Sequence, residues 1–423
     1  MGEILTLFRP EFNRSLVVEA RPERLTQESG AIVLREVMDR LGLGRWFEGR
    51  LVDSRNPALI THPLPELLRT SLLLLAQGWR DQDDADTLRH DPALRLAVSE
   101  RRGVGPLERR KVAEGETPSK NPSVPDGLAS QPTLSRLVGM LCTDENRLTM
   151  RDSLLESASR HLRAQRRGRR WEELTIDVDS LPIEVHGHQP GSAHNGHYHT
   201  RIYHPLVAVV AETGDVLDAQ LREGNAHTAQ GSVEFVLPLV EAARRSLCKR
   251  VAVRLDAGFP EEGLLSALEY DGTPYVARVR NNSVLDEMAE PFLKRPPGRR
   301  PKEPRTWLYE MSYRAESWSK ERRVVLVVQE RAEELFLHHF WLITSWRAEE
   351  VDADRLLALY RQRGTAEGYF GEIKDVLDPA LSSSPRPKSH YRQSEPERRY
   401  ASGDSFVRNE VLLLLNLLAY NLG

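Results

Sequence analysis

The chain is expected to be an α/β protein: a mixed sheet flanked by helices, preceded by a helical N-terminal region and interrupted by a strand-rich insertion before the last helix of the core. Three observations predict this. Apolar residues recur at spacings of three and four through the first hundred positions, the period of an amphipathic helix. After Trp171 the spacing changes to period two, as in half-buried strands. From Gln230 onward, helical patterns alternate with short apolar runs, which is how packed layers of helix and sheet are encoded.

The elements follow in order. Ile32–Leu43 and Leu64–Trp79 carry the helical spacing of residues 1–100. Residues 101–129 are polar and rich in Pro, Gly and charge, the composition of a linker or insertion. Ser130 is a cap for a helix with Pro132 in its first turn, and helical pattern continues to an arginine cluster at 160–170. Leu174–Val185, Tyr203–Val210 and Val216–Leu221 read as a three-stranded meander, with Glu212-Thr-Gly-Asp215 as one turn. Gln230–Arg244 is an amphipathic helix, Val251–Leu255 a short strand, Glu261–Glu269 a helix and Tyr275–Val279 a strand. Strand-like stretches at Trp307–Tyr313, Arg323–Gln329 and Phe340–Thr344 make up the insertion, in which Trp307 and Trp318 are expected to pack a small sheet of their own. The expected divisions are 1–100, 101–129, 130–170, 171–280, 281–345 and 346–423.

Composition narrows the function. A net charge of −3 over 423 residues gives no whole-chain sign of a polyanionic partner. The distribution does: residues 160–170 hold six arginines and no acid, and residues 294–323 hold ten Lys or Arg against four Glu. The two cysteines, Cys142 and Cys248, exclude a disulfide framework and fit a reducing compartment. Apolar runs such as Leu72–Ala76 and Val411–Leu415 fall far short of the roughly 20 residues of a membrane span.

Chemistry concentrates in carboxylates. Asp177 and Asp179 stand at i and i+2 of one strand and so share a face, with Val178 on the other. Two like charges there need an offset, and a metal ion supplies one. Asp256 ends the next apolar strand, before Gly258, where open α/β sheets place ligands and where turns also use Asp as a cap. Near the end, Tyr360, Arg363, Glu367 and Lys374 are spaced by three, four and seven, so on one continuous helix they form one stripe. Three carboxylates from two strands and one helix could clamp two Mg²⁺ ions. Arg363 and Lys374 suit phosphates beside them, with Tyr360 as a hydrogen-bond donor.

These residues resemble a family. Tyr360-Arg-Gln-Arg363-Gly-Thr-Ala-Glu367 through Lys374 matches a Tyr-x2-Arg-x3-Glu-x6-Lys signature without a change of spacing. With Ile176-Asp-Val-Asp179-Ser, Leu221-Arg-Glu-Gly224 and Val253-Arg-Leu-Asp256-Ala-Gly-Phe259, the chain resembles bacterial insertion-sequence transposases with a DDE, RNase-H-like catalytic domain, over roughly 60–420. The resemblance implies an RNase-H-like sheet and Asp179, Asp256 and Glu367 as catalytic metal ligands. Asp177 remains the alternative first acid, while Asp179-Ser is the better fit to the family's Asp-x-Thr/Ser. It implies two Mg²⁺ ions, with Mn²⁺ as a substitute, and cut-and-paste transfer of 3′-OH ends through a hairpin. The implied partners are terminal inverted repeats, target DNA and a second copy in a synaptic dimer. It also implies a bacterial cytoplasmic, nucleoid-associated protein with no membrane contact. Residues 1–100 would bind DNA; the Ser130–Leu141 helix is either a bundle element or, as in a helix-turn-helix, the element whose Arg136 contacts bases or phosphates, and the 295–305 segment with Arg299 and Arg300 is either a basic surface loop or a minor-groove hook. An aromatic of the insertion, Trp307 or Trp318, could stack on a flipped base. Family members run on through a further helix past Gly423, so a shortened copy is expected. The rivals are a catalytically inactive DNA-binding remnant, a non-transposing metal-dependent nuclease and a small-molecule phosphohydrolase. The six histidines at 186, 188, 194, 197, 199 and 204 fit no standard zinc spacing and are expected to be exposed loop residues.

Overall fold

The structure is a computed structural model that describes residues 26–81, 83–99, 127–295, 297, 303–331, 334, 336–379, 381–382 and 403–423. Its helices before the sheet are α1 (Gly30–Leu41), α2 (Leu43–Phe47), α3 (Leu64–Ala76), α4 (Asp84–Thr87), α5 (Pro92–Val98), α6 (Gln131–Leu141) and α7 (Asp144–Gln165). Ser130 precedes α6 in extended conformation and Pro132 lies in its first turn, as the sequence predicts. The Ser130 hydroxyl, however, meets the Thr133 hydroxyl at 3.2 Å rather than a backbone N–H.

The strands are β1 (Trp171–Ser180), β2 (Ile183–Glu184), β3 (Ala193–Asn195), β4 (Thr200–Tyr203), β5 (Leu206–Val210), β6 (Val216–Gln220), β7 (Cys248–Leu255), β8 (Tyr275–Val279), β9 (Arg305–Tyr313), β10 (Arg322–Glu330) and β11 (His338–Thr344). Among them run α8 (Ser232–Ser246), α9 (Glu262–Asp271) and α10 (Ser283–Ala289). After them come α11 (Ala353–Arg361), α12 (Arg363–Gly371), a π-helical turn at Glu372–Leu377 and α13 (Gly403–Tyr420).

Eight strands form one sheet in the order β6-β5-β1-β7-β8-β11-β10-β9. The first three are antiparallel, and β1, β7 and β8 are parallel. This is an RNase-H-like mixed sheet, and it carries the predicted α/β architecture. Two expectations change. The predicted strands Leu174–Val185 and Tyr203–Val210 each divide, and β2, β4 and β3 form a separate three-stranded sheet. Conversely, the insertion has no sheet of its own: β11 pairs with β8, so β9–β11 extend the main sheet. Trp318 is accordingly buried, with its ring edge-on to Tyr313 at 5.4 Å and under Arg322, and it has no free face for a base. Trp307 is half-buried against the same core.

Alternation along the strands distributes side chains to two faces. Ile176, Val178, Ala208, Val251 and Val253 point into one core, filled by α8 and α9 through Phe235, Val236, Leu264 and Leu268. The opposite face carries Val207 and Val209 against the N-terminal helices and α13, and Val276, Val325 and Leu342 against α11. Asp177, Asp179 and Arg254 belong to this second face, between those two apolar clusters.

Candidate active site

The site is built at the C-terminal ends of two neighbouring parallel strands. In register, Asp177 of β1 lies opposite Arg254 of β7. Both side chains are buried, and Arg254 donates through Nε and Nη2 to the two Asp177 oxygens at 2.6 Å each. The remaining Arg254 nitrogen, Nη1, donates to the Leu359 carbonyl of α11 at 2.6 Å. Both Asp177 oxygens are thus engaged by one planar guanidinium, the geometry of a structural fork. Of the two candidate first acids, Asp177 is the one already committed to holding β1, β7 and α11 together.

Asp179, two residues on, is only partly covered, with 21 % of its side chain exposed. Its Oδ1 accepts the Ser180 N–H at 2.8 Å and its Oδ2 accepts from Arg363 Nη2 at 2.6 Å. Burial pushes its carboxyl up to about 6 against the pull of Arg363, and the negative charge of Asp256 adds to the rise. Asp179 therefore senses the like charge of Asp256 at the end of the neighbouring strand. Asp256 also serves its own turn: its Oδ1 accepts the Gly258 N–H at 2.7 Å.

Arg363 opens α12 and reaches back to this pair. Its side chain is 8 % exposed, and its Nη1 is buried without a hydrogen-bond partner. An orphaned guanidinium nitrogen beside two carboxylates is the donor an incoming anionic oxygen would meet. Tyr360 lies in the last turn of the preceding helix. Burial raises its phenol, and the charges of Arg363, Asp256 and Glu367 all act on it.

The predicted single stripe does not survive. The chain bends at Gln362, between α11 and α12, and goes over to π-helical hydrogen bonding at Glu372. Spacings counted at 3.6 residues per turn cease to describe a face across either junction. Glu367 is exposed on α12, and Lys374 is exposed in the π-helical turn. Glu372 is turned to another neighbour, as expected, and accepts from the Tyr420 hydroxyl at 3.0 Å. Among the described residues no three of His, Cys, Asp and Glu lie close enough together to hold one metal ion. The structure thus brings together Asp179, Asp256, Arg363 and Tyr360, and Glu367 of α12 reaches this group through its charge on Tyr360. Arg136 is exposed on α6, whose Leu134, Leu137 and Val138 pack into the helical core. Arg299 and Arg300 lie outside the described residues.

Two neighbours were not assigned to this site from the sequence. Tyr198, between β3 and β4, is raised by burial and by the charges of Asp179 and Asp256, which puts its ring at the mouth of the site. His204 is buried rather than exposed. Its Nδ1 lies 3.0 Å from the Ala226 carbonyl, which can only accept, so that nitrogen carries the proton. Its Nε2 has no partner, and Asp256 is among the charges acting on it. The available signal was His204-Pro205, a break inside an otherwise apolar strand pattern.

With this geometry in hand, comparison with known proteins gives the class. Residues 8–389 match the family model described as Transposase DDE domain group 1, and the chain belongs to that family. The span contains Asp179, Asp256 and Glu367. A solved structure, "Cryo-EM structure of piggyBac transposase synaptic complex with hairpin DNA (SNHP)", is similar at 11 % identity and a TM-score of 0.40, over 92 % of this chain and 75 % of that one. No curated protein matches the chain. No helix among the described residues is long and apolar enough to cross a membrane.

Proposed function

We propose that this chain is a cut-and-paste DNA transposase of the insertion-sequence type, with Asp179, Asp256 and Glu367 as its three acids. The observation that carries the reading is the pairing of Asp179 with Asp256 at adjacent parallel strand ends, beside a buried arginine with an unused donor. Family membership supports DNA transposition as the process. Asp179 is preferred to Asp177 because both Asp177 oxygens are bound to Arg254.

Two like-charged, poorly solvated carboxylates with hard oxygen donors fit a divalent cation such as Mg²⁺. Asp179 and Asp256 would hold it, with Glu367 joining from α12. Bound there, Mg²⁺ ions supply activation of the attacking water or hydroxyl and stabilisation of the departing 3′ oxygen. The protein's own groups do the rest. Arg363 Nη1 offers a hydrogen bond to a non-bridging phosphate oxygen, and Tyr360 a second. Lys374 draws the backbone toward α12 by charge. The DNA partners would be the terminal inverted repeats and a target duplex, engaged by two copies of the chain.

The test is a labelled duplex carrying the element's end, incubated with Mg²⁺ or EDTA and a second, unlabelled duplex. Metal-dependent nicking at the end, followed by joining to the second duplex, is expected. Uniform cutting of any duplex without joining would instead mark a nuclease. A second reading has its own observation: Asp179 is occupied by Arg363, and among the described residues no three ligating side chains gather around one ion, as in an inactive DNA-binding remnant. That reading predicts end-specific binding with no nick under any metal.

A further inference from the structure

The carboxylates occupy one end of the sheet, and a second concentration of charge occupies the other. Parallel β1 and β7 both begin there, with Trp171 opposite Cys248. Arg163, Arg166, Arg167, Arg169 and Arg170 are exposed on the last turn of α7 and the link into β1. Arg245, at the end of α8, and Lys249 and Arg250, at the start of β7, are exposed beside them. The segments are tied together: Arg163 donates to the Ser246 carbonyl at 3.1 Å and Arg170 to the Arg245 carbonyl at 3.3 Å.

The bland account is a solvated helix end. Cations at a helix C-terminus complement its dipole, and surface charge is ordinary. That accounts for one or two arginines per helix. Here eight cations stand with Glu172, Glu173 and Glu241, which pair with Arg250 and Arg245, and with Glu212, which accepts the Thr175 N–H. The cluster on α7 and its link retains all its charge. Two details go against a passive tail. Arg167 is held at φ 51, the left-handed region that usually takes Gly or Asn at a helix end. Arg166 is stacked on the Trp171 ring at 4.9 Å, which fixes its guanidinium at the rim of the sheet.

We infer that this end of the sheet is a second phosphate-backbone surface, which holds the flank of the same duplex whose phosphate sits at Asp179 and Asp256. From Trp171 to Asp179 is eight strand steps, roughly 26 Å. That corresponds to about eight base pairs of duplex at 3.4 Å per step. Contact there is with phosphates, not base edges, and so carries no sequence preference. The inference rests on the proposed DNA reading but concerns binding, not cleavage.

The experiment measures binding of the full chain to a 30-base-pair duplex, about 100 Å long, in EDTA as salt is raised. The quadruple variant R166Q/R167Q/R169Q/R170Q is compared with the matching Arg→Lys quadruple. Each lost phosphate contact lowers the log–log salt slope by about 0.9. The Gln variant should lose about 2–4 in slope and at least tenfold in affinity near 0.1 M salt, whereas the Lys variant should keep the wild-type slope. Thermal melting of both variants establishes that they fold. If a folded Gln variant has the wild-type slope, the surface does not hold the flank of this duplex and the inference fails. If single-duplex binding is unchanged and only joining to a second duplex fails, the flank assignment is wrong and the target is the occupant. A slope difference between wild type and the Gln variant, in a wild type that never nicks when Mg²⁺ is supplied, would sink the transposase reading and leave this surface standing.

Discussion

Asp177 and Arg254 face each other across the β1–β7 register, joined by two 2.6 Å hydrogen bonds with neither side chain more than 1 % exposed. The pair separates two aspartates that stand on one strand face into different roles. Asp177 is paired inside the sheet, whereas Asp179 is left at the rim; burial raises both carboxyls, that of Asp179 to about 6. Removing one partner of a buried ion pair strands the other, at a cost of about 3–5 kcal/mol. Asp177→Asn and Arg254→Met should therefore each unfold the chain at markedly lower urea, measured by equilibrium denaturation. Asp179→Asn, at a partly exposed position, should shift the midpoint much less. Equal shifts would mean that both aspartates are structural.

The Asp179 carboxyl gives a pH dependence with a definite sign. Its folded value of about 6 lies above its ordinary value near 4. The folded chain therefore holds a proton more tightly than the unfolded chain between those values. This contribution to stability is present below about pH 4 and is lost as pH rises through about 6. A divalent cation binds the ionised form, so stabilisation by Mg²⁺ should be small at pH 5 and grow above pH 6. Melting curves with and without Mg²⁺ at pH 5, 6 and 7.5 measure it. A Mg²⁺ shift independent of pH would remove Asp179 from the ligand set.

Arg363 is the positive charge that opposes that rise. Arg363→Gln should move the acid limb of the nicking rate to higher pH, because Asp179 loses the charge that favours its ionised form. Arg363→Lys should restore the limb but not the full rate, since an ammonium cannot use both donors of the guanidinium. The pH–rate profiles of the two variants distinguish this from simple loss of fold.

Gly224 holds the small sheet that carries Tyr198. A Cβ there would lie 2.0 Å from the Ile202 carbonyl oxygen and 2.6 Å from the Ala193 nitrogen, both backbone atoms of the paired β3 and β4. Neither can yield without breaking the pairing. Gly224→Ala should cost about 1–3 kcal/mol by overpacking, seen in thermal melting, and should loosen β3–β4 first in hydrogen exchange.

Much of this was legible in the sequence because it is local. Period-two spacing places Asp177 and Asp179 on one face and Val178 on the other, and β8 falls at Tyr275–Val279 as expected. What the sequence hid is non-local. Arg254 inside Val251–Leu255 reads as an anomaly until the parallel register sets it opposite Asp177. Complementary charges buried in two apolar strands were the available hint. The union of β11 with β8 depends on pairing over sixty residues, which no window of local pattern encodes. The bend at Gln362 has no proline to announce it, and only the neighbouring Gly364 weakens the helix there.

Asp179 and Asp256 sit at neighbouring strand ends, and Glu367 is proposed to join them from α12. Nicking of a labelled end duplex by wild type, Asp179→Asn and Glu367→Gln, with DNA binding measured in parallel, tests that proposal most directly. The account predicts that both variants bind the duplex as the wild type does and that neither nicks it with Mg²⁺. Wild-type nicking by Glu367→Gln would contradict it, and would leave Asp179 and Asp256 to be completed by some other group.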